Sequence, residues 1–181
     1  METKFKSKIM DSQDLHRALT RISHEILERN KDLKKLAIIG IQRRGVHLAN
    51  RIRDIIKSIE KVEIPLGVLD ITLHRDDLFI MIKQPIVQKT DISFDISGRD
   101  IILVDDVLFS GRTVRAALDE LVDFGRPATI QLGVLIDRGH RELPIRPDYI
   151  GKNVPTSLSE VIKVKLKELD NEDEVILEDI I

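Results

Sequence analysis

The sequence predicts an α/β fold, a mainly parallel twisted sheet flanked by helices. Two observations carry this. Apolar runs of strand length, LAIIGI at Leu36–Ile41, IILV at Ile101–Val104 and ATIQLGVLID at Ala128–Asp137, alternate with stretches whose apolar residues recur every three or four positions. Polar loops containing glycine and arginine also stand at two strand-to-helix junctions, where an open parallel sheet places its ligands.

The elements follow in order. DSQDLHRALTRISHEILERNKD carries a helical stripe of Leu15, Leu19, Ile22 and Ile26, with Asp11 or Ser12 as its cap. LAIIGI is a buried strand. GVHLANRIRDIIKSI is a helix with Val46, Ala49, Ile52 and Ile56 on its inner face. EIPLGVLDITL is strand-like but interrupted by Pro65 and Gly67. IILV is the next strand, and TVRAALDELVDFG the next helix, turning Val114, Ala117, Leu118 and Leu121 inward. Gly125 suits its C-terminal cap, with Pro127 just beyond. ATIQLGVLID, DYIGKNV and EVIKVKL complete the set as strands. No repeat or low-complexity linker divides the chain, so residues 1–181 are expected to form a single domain.

Composition narrows the class. A 42% hydrophobic and 33% charged chain is that of a soluble globular protein. The absence of cysteine excludes disulfides and thiolate metal sites and suits a cytoplasmic setting. Neither a signal-peptide core nor an apolar run of about 20 residues is seen, so no membrane association is expected. The net charge of −2 hides an asymmetry: residues 1–61 hold 15 Lys and Arg against 8 Asp and Glu. The tail ELDNEDEVILEDII holds seven acids and no base, and reads as a solvated end. A basic half suits a polyanion, whereas six aromatics are too few for a base-stacking platform.

The chemistry concentrates in IILVDDVLFSGRT. Two acids, Asp105 and Asp106, follow the strand, and Ser110, Gly111, Arg112 and Thr113 open the next helix. Helix-start N–H groups, hydroxyl donors and a glycine that admits close approach make a site for one phosphate group. The acids would repel that phosphate, so they belong to another part of the same ligand. Sugar hydroxyls or a divalent cation are the two options. The second loop, GIQRRGVH, has the G-x-x-x-x-G half of a nucleotide loop but Val46 and His47 where Lys and Ser/Thr would do the work. It therefore excludes a triphosphatase and keeps a turn with two arginines, suited to pyrophosphate. The chain has no G-x-G-x-x-G dinucleotide fingerprint. A ribose 5-phosphate bearing a second phosphate cluster, as in phosphoribosyl pyrophosphate, fits both loops. The five histidines show no metal-ligand spacing.

IILVDDVLFSGRT resembles the phosphoribosyl pyrophosphate signature of the type I phosphoribosyltransferases, and GIQRRG resembles their pyrophosphate loop. ALTRISHEILERNK, DITLHRDDL and VDFGRPATIQLGVLIDRGHRELPIRPDYIGKNVPTS are similar to one branch of that family. Its members pair uracil phosphoribosyltransferase activity with regulation of the pyrimidine operon. The resemblance spans about Asp14 to Leu166. It implies the type I fold, with a small hood formed by terminal and lid segments, and transfer of ribose 5-phosphate to uracil, giving UMP and pyrophosphate with Mg²⁺. By resemblance, Asp105, Asp106 and Arg75 are catalytic. Val104, Asp105, Asp106, Val107, Leu108, Phe109, Ser110, Gly111, Arg112 and Thr113 bind phosphoribosyl pyrophosphate. Gln42, Arg43 and Arg44 meet pyrophosphate, and Leu73 to about Lys89 form a lid. Val134, Leu135, Asp137, Arg138 and Ile162 form the uracil pocket. Mg²⁺ is held mainly through substrate near Asp105 and Asp106, without a dedicated protein cage. The implied RNA face comprises Arg17, Thr20, Arg21, His24, Arg29, His140, Arg141, Arg146 and Lys152, for the leader mRNA of the chain's own operon with UMP favouring binding. A homodimer, or a higher homo-oligomer, is also implied. Two alternatives stand beside this reading: a purine phosphoribosyltransferase without an RNA role, and a UMP-sensing RNA-binding regulator with a weak active site.

Overall fold

A computed structural model describes residues 2–72 and 90–181. In chain order the elements are β1 (Thr3–Met10), α1 (Ser12–Arg29), β2 (Leu36–Ile41), α2 (Arg44–Glu60), β3 (Leu66–Leu69), β4 (Asp100–Leu108), α3 (Arg112–Phe124), β5 (Thr129–Asp137), β6 (Tyr149–Asn153), β7 (Glu160–Lys165), α4 (Lys167–Asp170) and β8 (Glu174–Ile180). Five strands make a parallel sheet in the order β3-β2-β4-β5-β6, and three make an antiparallel sheet in the order β1-β8-β7.

Strand alternation divides the core. Leu36 and Ile38 of β2 and Ile102 and Val104 of β4 face α1 and α2, joining Leu15, Leu19, Ile22, Ile26, Leu48, Ala49, Ile52 and Ile56. Ala37, Ile39, Ile41, Ile101 and Leu103 face the other side and pack with Val114, Ala117 and Leu121 of α3. Both faces of the sheet are thus covered, so its strands read as continuous apolar runs. The helix stripes hold with two adjustments. Leu48 is buried in α2 while Val46 is half-buried, and Leu118 of α3 is half-buried against the second cluster. Asp11 is the cap of α1: its carboxylate accepts from the Asp14 amide at 2.9 Å, and Asp14 reaches back to the Asp11 amide.

The small sheet is the terminal part of the hood; the lid stretch 73–89 lies outside the described residues. Its strand β8 corrects the reading of the acidic tail as a solvated end. Val175, Ile176 and Leu177 are buried, and β8 is the middle strand. The acids of the tail face bases. Lys6 bonds Glu160 at 2.6 Å and Asp179 at 3.2 Å, Lys8 bonds Glu174 at 2.8 Å, and Lys163 bonds Glu178. Val164, Leu166, Val175 and Leu177 then join the α1–α2 side of the core and seat the hood on it.

Candidate active site

The site forms where β2 and β4 run into helices. Gly40 and Gly45 bring α2 against the sheet: a Cβ on Gly40 would stand 2.5 Å from the Val46 Cα, and one on Gly45 would collide with the Val104 carbonyl. The G-x-x-x-x-G spacing is therefore a packing device that lays a helix start beside the end of β4. The turn between carries Gln42, Arg43 and Arg44, and the Gln42–Arg43 peptide is cis. Arg43 is exposed. Arg44 points its Nη2 at both carboxylate oxygens of Asp170 in α4, each at 3.1 Å, while its buried Nε has no hydrogen-bond partner among the described residues.

β4 continues through the two acids to Leu108 instead of stopping before them. Alternation then buries Asp105 and leaves Asp106 half-buried. Asp105 Oδ1 accepts the Asp106 amide at 2.9 Å, and Asp106 Oδ1 accepts the Val107 amide at 2.8 Å. Burial raises the Asp106 pKa above the ordinary 3.8, opposed by the Val107 amide, by Asp105 and by the charge of Arg44. An acid whose ionised form is held against desolvation in this way is a functional-site signal.

After Leu108 the chain turns through Phe109 and Ser110 to Gly111, whose φ of +93° suits glycine, and α3 starts at Arg112. The N-terminal end of α3 carries no side-chain cap. Asp105, Ser110, Gly111, Arg112, Thr113 and Glu142 line a cleft of about 310 Å³ there. The start of α3 and a Thr hydroxyl facing a cleft of this size suit one phosphate group, with Ser110 Oγ accepting the Arg112 amide at 3.4 Å. Val104 is buried on the α1–α2 side of the sheet, and Val107 and Leu108 line the cleft.

The base-side residues divide. Val134 and Leu135 are 1% exposed, sit on opposite faces of β5, and lie between β4 and β6 in the ladder, so their side chains pack in the core. Ile162 is buried in β7 against the same core. Asp137 ends β5 and accepts from the Gly139 amide and from Arg141. Arg138 is buried, donating to Thr156 Oγ1 and to the Ser157 and Glu160 carbonyls. It ties the end of β5 to the start of the hood.

The residues expected on an RNA face gather at two places flanking β6. Arg17, Arg21 and Lys152 line one cleft of about 340 Å³. Arg21 donates to the Ile150 and Gly151 carbonyls, Lys152 to the Ile9 carbonyl, and the Thr20 hydroxyl to the His16 carbonyl. Arg29 pairs with Asp148 at the far end of α1, and His24 is exposed between them. His140, Arg141 and Arg146 line a larger cavity of about 700 Å³ with Asp137 and Arg138. Arg141 is a staple inside that loop, bonding Asp137, the Phe109 carbonyl and the Ile145 carbonyl. Arg75, expected to contact pyrophosphate, lies outside the described residues.

The sequence reading missed Arg51, Asp170 and Glu142. Arg51 bonds Glu168 at 2.6 Å and Asp173 at 2.7 Å, clamping α2 to the hood. The signal available was the charge asymmetry itself: part of the basic excess in the first third is answered by the acidic tail.

The comparisons with known proteins agree with this geometry. A phosphoribosyl transferase domain model matches residues 6–169. This chain belongs to that family. "Bifunctional protein PyrR" of Caldicellulosiruptor bescii is 61% identical over 97% of this chain and 96% of its own length. The protein of the same name from Deinococcus radiodurans is 59% identical over 96% and 95%. Among solved structures, a hypoxanthine-guanine phosphoribosyltransferase from Bacillus anthracis superposes with a TM-score of 0.72 at 17% identity, covering 98% of this chain and 99% of that one. A hypoxanthine phosphoribosyltransferase from Staphylococcus aureus gives 0.72 at 16% identity, covering 95% and 92%. At such identity the superposition establishes the fold and nothing finer.

Phosphoribosyltransferase chemistry implies a Mg²⁺ ion. Asp105, which lines the cleft, and Asp106 next to it on β4 carry the hard oxygens that ion takes. Among the described residues no group of three or more His, Cys, Asp or Glu could hold a metal alone. The residues therefore fit an ion shared with an oxygen-rich ligand. Nor is any helix among the described residues long and apolar enough to cross a membrane.

Proposed function

We propose that the chain is a uracil phosphoribosyltransferase that also binds the leader RNA of its own pyrimidine operon, more tightly with UMP. The observation that carries the reading is the shared edge: a phosphate cleft, an acid pair and an arginine-bearing turn stand at the ends of adjacent strands β2 and β4. Relatives named "Bifunctional protein PyrR" at 59–61% identity support a chain with two functions.

In this reading residues 1–181 act as one phosphoribosyltransferase domain. Ser110, Gly111, Arg112 and Thr113 hold the 5-phosphate, and Val107, Leu108 and Phe109 carry the loop. Asp105 and Asp106 accept hydrogen bonds from the ribose hydroxyls. Gln42, Arg43 and Arg44 receive the departing pyrophosphate, with Arg75 of the lid closing from above. Asp105 and Asp106 would stand beside a substrate-bound Mg²⁺, which would supply charge neutralisation for the leaving pyrophosphate. The sugar C1 turns cationic as that group leaves. The protein's part is alignment, charge compensation and exclusion of water. Asp137 and Arg138 bound the uracil end through backbone groups, with Ile162 across from them. The RNA face comprises Arg17, Thr20, Arg21, His24, Arg29, His140, Arg146 and Lys152, with Arg141 positioning its loop. Recognition there works through phosphates and hairpin shape. The setting is cytoplasmic, and a homodimer or a higher homo-oligomer is the working assembly.

The test is product formation from phosphoribosyl pyrophosphate and Mg²⁺ with uracil, hypoxanthine, guanine or xanthine. UMP formation with no purine nucleotide is expected. A preference for any purine contradicts the reading, and no product with any base reduces the chain to a sensor.

A further inference from the structure

The segment after β5 is tied to the phosphate loop at several points. The Glu142 and Leu143 amides donate to the Ser110 carbonyl at 3.0 and 3.2 Å. Arg141 Nη1 donates to the Phe109 carbonyl at 2.9 Å. The Arg138 guanidinium lies 4.3 Å from the centre of the Phe109 ring, and the His140 ring meets that ring edge-on at 6.1 Å. Arg112 Nε donates to Glu142 Oε2 at 2.7 Å. Even a methyl on Gly111 would stand 3.3 Å from Ile145. The phosphate loop and residues 139–146 therefore form one packed unit.

Within that unit Glu142 is out of place. It lines the phosphate cleft with Ser110, Gly111 and Thr113, so a second carboxylate besides Asp105 borders the space an anion would fill. A phosphate dianion entering there is repelled by Glu142 and offers Arg112 a more highly charged partner. The Arg112–Glu142 pair is half-exposed on both sides, at 45% and 50%, and such pairs break at small cost.

We propose that Glu142 is a coupling residue: it pairs with Arg112 when the cleft holds no phosphate, and its displacement by a phosphomonoester shifts the segment 139–146 that carries His140, Arg141 and Arg146. This rests on the phosphate-cleft reading above and adds to it a route from ligand to RNA face. The Glu142 side chain and its own amide are both fastened to the phosphate loop, so moving one strains the other. The linkage is reciprocal: a polyanion held by Arg146 alters phosphomonoester affinity by the same factor.

The test uses the full chain, as wild type and as Glu142→Gln, titrated with UMP while amide hydrogen exchange is followed. In the wild type, UMP changes exchange at the Glu142 and Leu143 amides by about fivefold or more. In Glu142→Gln that change falls below about twofold, and UMP binds about two- to fivefold tighter because the repelling charge is gone. Wild type that binds UMP with unchanged exchange over 139–146 overturns the coupling and leaves the cleft reading standing. A variant that responds as the wild type does the same. Wild type that binds no UMP overturns the cleft reading, and the coupling with it.

Discussion

The two sheets of this molecule are held by different forces. The parallel sheet is apolar on both faces, and its strands are written as LAIIGI and IILV. The hood sheet alternates: Lys4, Lys6 and Lys8 of β1 point away from the core, and its acids answer lysines across the strands. The site lies where the first kind of sheet ends, and the hood closes against it through Arg44–Asp170 and Arg51–Glu168. Burial on both faces fixes the parallel sheet, whereas the hood sheet is buried on one face only and adds ion pairs on the other.

The largest expected effect is in the frame. Ile102→Ala removes a fully buried side chain from β4 and should cost about 2–5 kcal/mol. For a chain of this length that lowers the Tm by about 5–15 °C. A loss smaller than 1 kcal/mol, read from thermal unfolding, would mean that the sheet is not the rigid partner. Gly45→Ala comes next, at about 1–3 kcal/mol, because the new methyl meets the Val104 carbonyl. It should also impair phosphoribosyl pyrophosphate binding by pushing α2 off the strand end, whereas a stable variant with native affinity would deny that α2 placement matters.

Asp106→Asn sharpens the contrast between stability and function. Its pKa is raised, so the folded state prefers the protonated acid: that contribution is present below the unfolded pKa and lost as pH rises through the folded one. The substitution should leave the Tm unchanged or higher at neutral pH while binding of phosphoribosyl pyrophosphate, followed by calorimetry, collapses. A destabilised variant with full affinity would reverse the assignment.

The hood should show the opposite pH sign. Glu160, Glu174 and Glu178 have pKa values lowered chiefly by hydrogen bonds from Lys6, Lys8 and Lys163. Their contribution is present above the ordinary carboxylate range and lost as pH falls through the lowered values. Amides of β1 and β8 should therefore lose exchange protection below about pH 4, before those of β4 and β5. Simultaneous loss in both sheets would erase the distinction. The smallest effect is on the proposed RNA face: Arg146→Ala should weaken RNA binding and reduce the salt slope by about one, with uracil transfer intact. Loss of transfer alone would place Arg146 in the active site.

The same division explains what was legible. Apolar periodicity shows in sequence, so β2, β4, β5 and three of the helices, α1 to α3, could be read directly, as could the acid pair and the phosphate loop. β1 and the role of the tail could not, because a strand whose exposed positions are lysines looks like a charged terminus until its partner is known. Glu142 and Asp170 were hidden for a related reason. Each lies far along the chain from the arginine it meets, and nothing local marks a carboxylate as sitting over an anion site. Val134 and Leu135 show how a strand's need to bury its middle sends both side chains into the core, so that only their backbone is left to face a ligand.

The central claim is that one chain joins a phosphoribosyl site to an RNA face. The most direct measurement is filter retention of the leader RNA of its own operon by the purified protein, with and without UMP. Tight retention strengthened by UMP is the predicted result. Weak, salt-labile retention that ignores UMP would contradict it, leaving a phosphoribosyltransferase whose basic first third is answered by its own acidic tail.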